Sequence, residues 1–564
     1  MPTALPAWIH ARCVLASLLF LACIPMHGEA ATVGNPERPQ DLGRDIAAAC
    51  TAGAATVVIT PGAYQLTGSL VLEHLTNVEL DFSKAELVQC SGKDGVDVNH
   101  CEQLILRGAT LHYDHPRFCQ ARILAVGTEA GKGAYYDVQI DAGYPLTAAF
   151  KSCVIFTAAE RRIRFHTGDA DATSVQPLDA PGRVRVFWGN AGMLPPRSPV
   201  EVGDELVCRG DGSSLLHADA CSGCSFQDLT LYWGGIFGIF ETGPSQGNHY
   251  LRIRLTPGPA PSGGVKPFIS QSADGLHSAG ARLGPDIEDC DFECMLDDAF
   301  AIHGYFQEIL AVSGATLTVK ESSYHVGDIA RVSSLTGYSA ESTVTADVRA
   351  ADGRHLITLA QALDAHPGDK VGNPSASGAG YKIIRNTIRN NRARGILVKG
   401  DHGLIERNTI DGSTMSGISI GPEYYWNEGD YCHQVVVRGN TISNTNYATN
   451  DFGRNGAILI HGDGAKGNRA ITIADNAISG VLGPNLIIHW ADGVSVTGNT
   501  FTAPHLKPVG GDAVAGTLVW LEHCSNVSFA ANTVAQPGPA ETALVVTGKD
   551  VDTVAGQDSG IIRK

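Results

Sequence analysis

Charged residues are scarce: 18% of 564 residues, with 41 Lys and Arg against 58 Asp and Glu. So little charge, together with 65 glycines, fits a turn-rich β protein better than a helical one. The formal net charge of −17 argues against a nucleic acid partner, whose phosphates need a cationic surface. A neutral or weakly charged substrate suits it, and so does plain solubility. There is no phosphate-cradling Gly loop, no HExxH helix, no G-x-S-x-G elbow and no EF-type calcium loop. No metal and no cofactor is therefore implied by motif. Past residue 30 no apolar run reaches the roughly 20 residues that span a bilayer.

The apolar run that does occur, CVLASLLFLACI (13–24), follows Arg12 and precedes small residues near 28–31. It reads as a secretory signal over residues 1–30. A lipid-attachment box at Leu21-Ala22-Cys23 is the alternative. The expected location is secreted or periplasmic, without a membrane span. Two of the 14 cysteines fall in that signal, which leaves twelve for an oxidising compartment, where some should pair. Cys221-Ser-Gly-Cys224 has no second CxxC to complete a zinc site, so a local disulfide or buried thiols are expected.

What is present is a repeat. Asn386-Thr-Ile, Asn408-Thr-Ile, Asn440-Thr-Ile, Asn476-Ala-Ile, Asn499-Thr-Phe and Asn532-Thr-Val recur, with a base period of about 22 residues lengthened by loops. Apolar triplets such as Ile396-Leu-Val398 and Ile418-Ser-Ile420 recur in step. One strand per face and coil is the pattern of a right-handed parallel β-helix, an all-β solenoid. Each Asn is expected at a turn, in left-handed geometry, stacked on the next. The chain then divides as follows. Residues 31–119 hold an N-terminal cap, with a helix near 41–52, and the first coils. Residues 120–215 form a β-barrel-like insertion, and 216–305 return to the β-helix. Residues 306–379 form a second β-barrel-like insertion, and 380–564 carry the last coils.

Residues 272–304 carry the candidate chemistry. Asp274 lies in an Ala-Asp-Gly turn and Asp297-Asp298 in a Leu-Asp-Asp-Ala turn, 23 residues on by the offset of 297 from 274. One coil takes about that many residues, which would stack the acidic turns about 4.8 Å apart. Clustered carboxylates cannot all ionise cheaply, so at least one pKa rises. A protonated acid beside an ionised base is what glycosidic cleavage requires. Singly, each of these residues is an ordinary turn residue. His277 and His303 flank them and could tune them or serve structure.

The loop GPEYYWNEGD (421–430) adds Glu423 and Glu428. Its Tyr424, Tyr425 and Trp426 offer flat faces for a sugar or a plug over a groove. Arg392, Arg394 and Lys399 lie nearby in sequence, as donors to sugar hydroxyls or as carboxylate partners. Asp81, Asp114 and Glu241 are placed where they could reach the same face.

With these residues in view, the sequence resembles glycoside hydrolase family 110, the exo-acting α-1,3-galactosidases. The resemblance rests on LHYDHPRFCQARIL (111–124), SADGLHS (272–278), IEDCDFECMLDDAFAIHG (287–304), NNRARGILV (390–398) and GPEYYWNEGDY (421–431). It implies a parallel β-helix and release of terminal α-1,3-linked galactose from a glycan with inversion. It also implies an acidic centre at Asp274, Asp297 and Asp298, with Glu428 in the Trp-x-Glu pattern of the later loop. Inversion needs a carboxylic acid on the leaving oxygen and a carboxylate activating water. Asp297 or Asp298 fits one role and Glu428 or Asp274 the other. HYDHPRF (112–118) and GYFQEI (304–309) depart from the family pattern. Two other readings stand beside this one. One is a different β-helix polysaccharide enzyme, a polygalacturonase-like hydrolase or a uronate lyase or epimerase, though Asn-Thr-Asp, Gly-His-Gly and Arg-Ile-Lys are missing. The other is a non-catalytic glycan-binding solenoid.

Overall fold

The computed structural model describes residues 30–563, apart from 147–149, 166, 190–198, 335–338, 448–454, 463, 503–516, 537–542 and 557–560. The expected signal (1–30) lies outside these residues except for Ala30. Among the described residues no helix is long and apolar enough to cross a membrane.

Short apolar runs set the architecture. In Ile396–Val398, Ile418–Ile420, Ile458–Ile460 and the start of Leu486–Thr497, the flanking residues point inward and stack, Ile396 on Ile418 on Ile458 on Leu486. Two further strands follow per turn, for example Leu404–Glu406 and Thr409–Asp411. The pairing between coils is parallel throughout, and a twelve-stranded sheet from Gly62–Leu66 to Thr533–Ala535 forms one face. The result is a right-handed parallel β-helix around one continuous apolar core. A buried aliphatic side chain contributes about 1.5–3 kcal/mol, and every coil adds several. The helix Leu42–Thr51 buries Leu42 and Ile46 at the first coil, where it covers an open strand edge.

The recurring asparagines form an internal ladder. Asn386 Nδ2 donates to Asn408 Oδ1 at 3.0 Å, and Asn408 to Asn440, Asn440 to Asn476, Asn476 to Asn499 and Asn499 to Asn532, each at 2.9 Å. Each Oδ1 also accepts a backbone N–H from the coil before, as Asn440 does from Asn408 at 2.9 Å. The left-handed residue is the one before each Asn, such as Arg385, Arg407 and Asp475, and not the Asn itself. The Asn side chain must point inward to bond, so the turn is made one residue earlier. Cys290 holds the corresponding place one coil earlier: its N–H donates to Asn386 Oδ1 at 2.9 Å and its Sγ accepts from Ile253 N at 3.4 Å. Cys101, Cys221, Cys224 and Cys290 are likewise free thiols inside the coils. Cys153–Cys208 is a disulfide between facing strands.

Asn440→Ala should cost about 2–4 kcal/mol, because it strands buried N–H and C=O groups on both neighbouring rungs. Denaturant unfolding would measure it. A cost below about 1 kcal/mol would mean that the ladder is incidental to the core.

Two antiparallel units interrupt the coils. The first has six strands between Cys119–Glu129 and Glu205–Cys208 and its own apolar core. Its ladders run in an open order, with Cys153–Phe156 and Ala172–Pro177 at the ends. Backbone bonds between Cys153 and Ala170, at 2.8 and 3.0 Å, and from Ala172 N–H to the Phe150 carbonyl at 3.0 Å join these two ends, as a barrel-like unit requires. The connection between them makes the bridges Phe156–Ile163 and Cys153–Ala170. The second unit, from Ala311–Ser313 to Lys370–Gly372, packs a separate core around Leu317, Val332 and Ile357. It leaves from Phe300–Glu308 and rejoins at Lys382–Ile384.

Candidate active site

Leu276 pairs with Phe300, and Phe300 with Ile396. Carried back two residues, this register puts Asp274, Asp298 and Arg394 on three successive rungs. The stacked acids are thus 24 residues apart, and it is Asp298, not Asp297, that lies over Asp274. The backbone agrees: Asp298 N–H donates to Asp274 Oδ1 at 3.2 Å, and Arg394 N–H to Asp298 Oδ1 at 2.7 Å. Gly275 makes this stack possible, since an added Cβ would lie 2.5 Å from the Ala299 carbonyl oxygen and from the Phe292 ring.

The three carboxylates have oxygens within 4.8 Å of one another, but their surroundings differ. Asp274 and Asp298 are buried, and burial raises both pKa values, Asp298 well above the usual carboxylate range against the opposing pull of Arg394. Asp274 Oδ2 is 2.5 Å from His277 Nδ1. Asp297 points the other way, to Arg209 Nη2 at 2.6 Å and Arg392 Nη1 at 2.7 Å. Burial alone would raise it, yet Arg392 and Arg209 hold it below the ordinary value. A cation could be bound by three such carboxylates, but Arg209, Arg392 and Arg394 already supply positive charge to the cluster. Adjacent residues on one turn are therefore shifted in opposite directions.

The loop after Ile418–Ile420 completes the site. Glu423 and Glu428 bond backbone to backbone, N to O at 2.9 and 3.2 Å, around a short turn at Tyr424–Trp426 and a left-handed Asn427. That pairing turns both carboxylates to one side. Lys399 Nζ lies 2.8 Å from Glu423 Oε2 and also bonds Glu428. Arg394 Nη2 spans Asp298 Oδ2 at 3.2 Å and Glu423 Oε2 at 3.0 Å. The outcome is an alternating row: Asp298, Arg394, Glu423, Lys399, Glu428. Burial opposes ionisation of Glu423, but Arg394 and Lys399 bring it down to about 2. Glu428 is also lowered, by the charge and hydrogen bond of Lys399 against its burial. His303 bonds His277 Nε2 at 2.9 Å and the Gly304 carbonyl at 2.7 Å, and burial brings it down to about 3, so it is neutral.

Glu423 gives a stability test. Its folded pKa is depressed, so its contribution is present above the ordinary 4.5 and lost as pH falls towards about 2. Wild type should lose stability over that window more steeply than Glu423→Gln. Parallel melting curves at pH 6 and pH 3 would sink the assignment.

Of the other candidates, Tyr425 and Trp426 stand at the loop tip, 85% and 63% exposed, edge to face at 4.8 Å. They form a rim. Tyr424 is the anchored ring, with its hydroxyl 2.8 Å from Ser333 Oγ. Glu241 does not reach the face: it points into the coil, bonded to Asn248, Tyr250 and Ser278. Inward and outward residues alternate along its strand, and Phe240 holds the outward place. Asp81 pairs with Arg107 and Asp114 with His115 and Arg117. Cys221 and Cys224 are free thiols.

Sequence reasoning missed Arg209, supplied by the chain leaving the first insertion, and Asp169 of that insertion, which holds Arg392 at 2.7 Å. It also missed His461, His489, Trp520 and Glu522, which line a groove of about 560 Å³ next to Arg394 and Glu423. For three of them a signal existed: His461, His489 and Glu522 each follow an apolar triplet in step with Lys399, whereas Trp520 is the middle residue of its triplet.

Comparison with known proteins agrees with the architecture. Residues 375–550 match the family model described as "Right handed beta helix region". An α-1,3-galactosidase B of Akkermansia muciniphila is 32% identical over 328 residues, covering 52% of this chain and 38% of that protein. The chain thus spans well under half of that relative. An α-1,3-galactosidase B of Phocaeicola vulgatus is 23% identical over 537 residues, 82% of this chain and 84% of that protein. Among solved structures, the Yersinia enterocolitica family 28 exopolygalacturonase superposes with a TM-score of 0.40 at 11% identity, over 93% of this chain and 78% of that one. By sequence and by its parallel coils, the chain is a right-handed β-helix protein similar to the α-1,3-galactosidases, glycoside hydrolase family 110-like.

Proposed function

We propose that this protein is an exo-acting glycoside hydrolase that releases terminal α-1,3-linked galactose with inversion. The observation that carries the reading is the opposed shifts of neighbouring carboxyls, with Asp298 and Asp274 raised by burial and Glu428 lowered, in a chain similar to α-1,3-galactosidases. Asp298 donates its proton to the departing glycosidic oxygen while Glu428 accepts one from the attacking water. Arg394, Glu423 and Lys399 stand between the two. We assign inversion, in which roughly 6.5–9.5 Å separates acid and base to admit water, because these three side chains lie between the two carboxyls. Arg394, Lys399 and His277 supply donors to the hydroxyls of the galactose, and the Tyr425–Trp426 rim covers its apolar face. The substrate is a galactose-terminated oligosaccharide or glycan, and the chain acts after export.

The test follows the anomeric proton by NMR while purified protein cleaves α-1,3-galactobiose. β-Galactose formed first supports the proposal. α-Galactose formed first overturns inversion, and no galactose from folded protein overturns the activity. The pH profile should be bell-shaped. Its acid limb lies below 4.5, because Glu428 is lowered from that value, and its alkaline limb lies well above 3.8, because Asp298 is raised from there.

A further inference from the structure

Beyond the acidic centre, the same face of the solenoid continues over three more coils. Ser419 pairs with Leu459, Leu459 with Ile487, and Ile487 with Trp520. Three steps of about 4.8 Å carry this row roughly 14 Å past Ser419. One residue row over, His489 pairs with Glu522, and His461 lies a coil before. The groove lined by these residues opens directly from Arg394 and Glu423.

Its chemistry is specific. Trp520 presents a half-buried indole braced edge-on by the His489 ring, with centroids 4.7 Å apart at 86°. His489 Nε2 is buried without a partner among the described residues. Burial brings both His461 and His489 down to about 4, so at neutral pH both are uncharged and can give or take hydroxyl hydrogen bonds. Leu459 and Met415 add apolar floor, and Glu522 adds a carboxylate. Arg394, the cation of the lining, already faces Asp298 and Glu423. A flat ring, neutral imidazoles and a carboxylate with no ion-pair partner among the described residues suit an uncharged sugar and repel a uronate.

We propose that the groove over Ser419, Leu459, His461, His489, Trp520 and Glu522 binds the neutral sugar next to the one cleaved, with Trp520 as its stacking platform. This rests on the hydrolase reading above and adds how the enzyme selects what the galactose is attached to. The experiment compares kcat/KM for α-1,3-galactobiose and for α-galactosyl fluoride, which has no second sugar. In Trp520→Leu the ratio of disaccharide to fluoride should fall about ten-fold, and Trp520→Phe should restore most of it. Circular dichroism and melting would confirm the fold of both variants. An unchanged ratio, whether both substrates slow equally or neither does, overturns the groove assignment while leaving the hydrolase intact. Wild type that cleaves neither substrate removes the hydrolase reading, and the groove falls with it.

Discussion

Asp298→Asn should lower kcat on α-1,3-galactobiose by at least about 10³-fold while leaving a folded protein. Losing a positioned general acid costs about 10²–10⁴-fold, and the remaining cluster does not replace it. Asp297, one residue away, is held ionised by Arg209 and Arg392. Asp274 is raised, but its carboxyl is engaged by His277 and the Asp298 N–H. The substitution is gentle on structure, because an Asn oxygen can still accept the Arg394 N–H that Asp298 accepts at 2.7 Å, and Arg394 keeps Glu423. The sign of the pKa shift points the same way. The raised value of Asp298 means its stabilising contribution is present below pH 3.8 and lost as pH rises through its folded value. A neutral Asn removes that loss, so melting at pH 7 should be within about 3 °C of wild type. The decisive readings are single-turnover kinetics and a melting curve on one preparation. Activity within ten-fold of wild type would move the acid to another carboxyl.

Arg331→Met should cost about 3–5 kcal/mol of stability, and about 10²-fold in kcat measured below its melting temperature. Arg331, on Ile329–Ser333 of the second insertion, is 1% exposed. It bonds Glu341 Oε1 and Asp401 Oδ2 at 2.7 Å each and the Tyr431 carbonyl at 2.5 Å, and lies 3.6 Å from Asp430 Oδ1. Burial already raises Asp430 to about 7 despite Arg331. Without the guanidinium, buried carboxylates lose their counter-charge, a change that typically costs this much. The loss reaches the site because Arg331 grips the end of the loop whose other residues are Glu423 and Glu428. That loop is held to the same insertion at Tyr424–Ser333 (2.8 Å) and Lys370–Asn427 (3.0 Å), and by the Tyr305–Glu428 backbone pairing. Arg331 is thus a positioning residue. Arg331→Lys should recover part of the charge but not the forked geometry, with kcat rescued less than stability. A stability loss with kcat unchanged would show that the insertion only braces the fold.

Much of this molecule was legible from periodicity. Stacked Ile and Asn positions recur on a base period of about 22 residues lengthened by loops, and a parallel coil is the one arrangement that buries the first and bonds the second. The acidic turn was legible because two carboxylates lie close in sequence to a coil's length from a third. The register was not, since the offsets 23 and 24 differ by the choice of Asp297 or Asp298, and only pairing between Leu276 and Phe300 selects the second. Nor was the inward turn of Glu241, which alternation along its strand decides.

The sequence by itself determined that the chain is a right-handed coil of strands carrying an acidic turn, because local period and side-chain type decide which faces are buried. Tertiary structure alone decided the protonation pattern. Asp298 meets Arg394 across 96 residues, Asp297 meets Arg209 across 88, and Arg331 meets Tyr431 across 100. The second insertion separates Asp298 from Arg394, intact coils separate Arg209 from Asp297, and Arg331 lies in the second insertion itself; a pKa is set by charges near in space, whatever their distance in sequence.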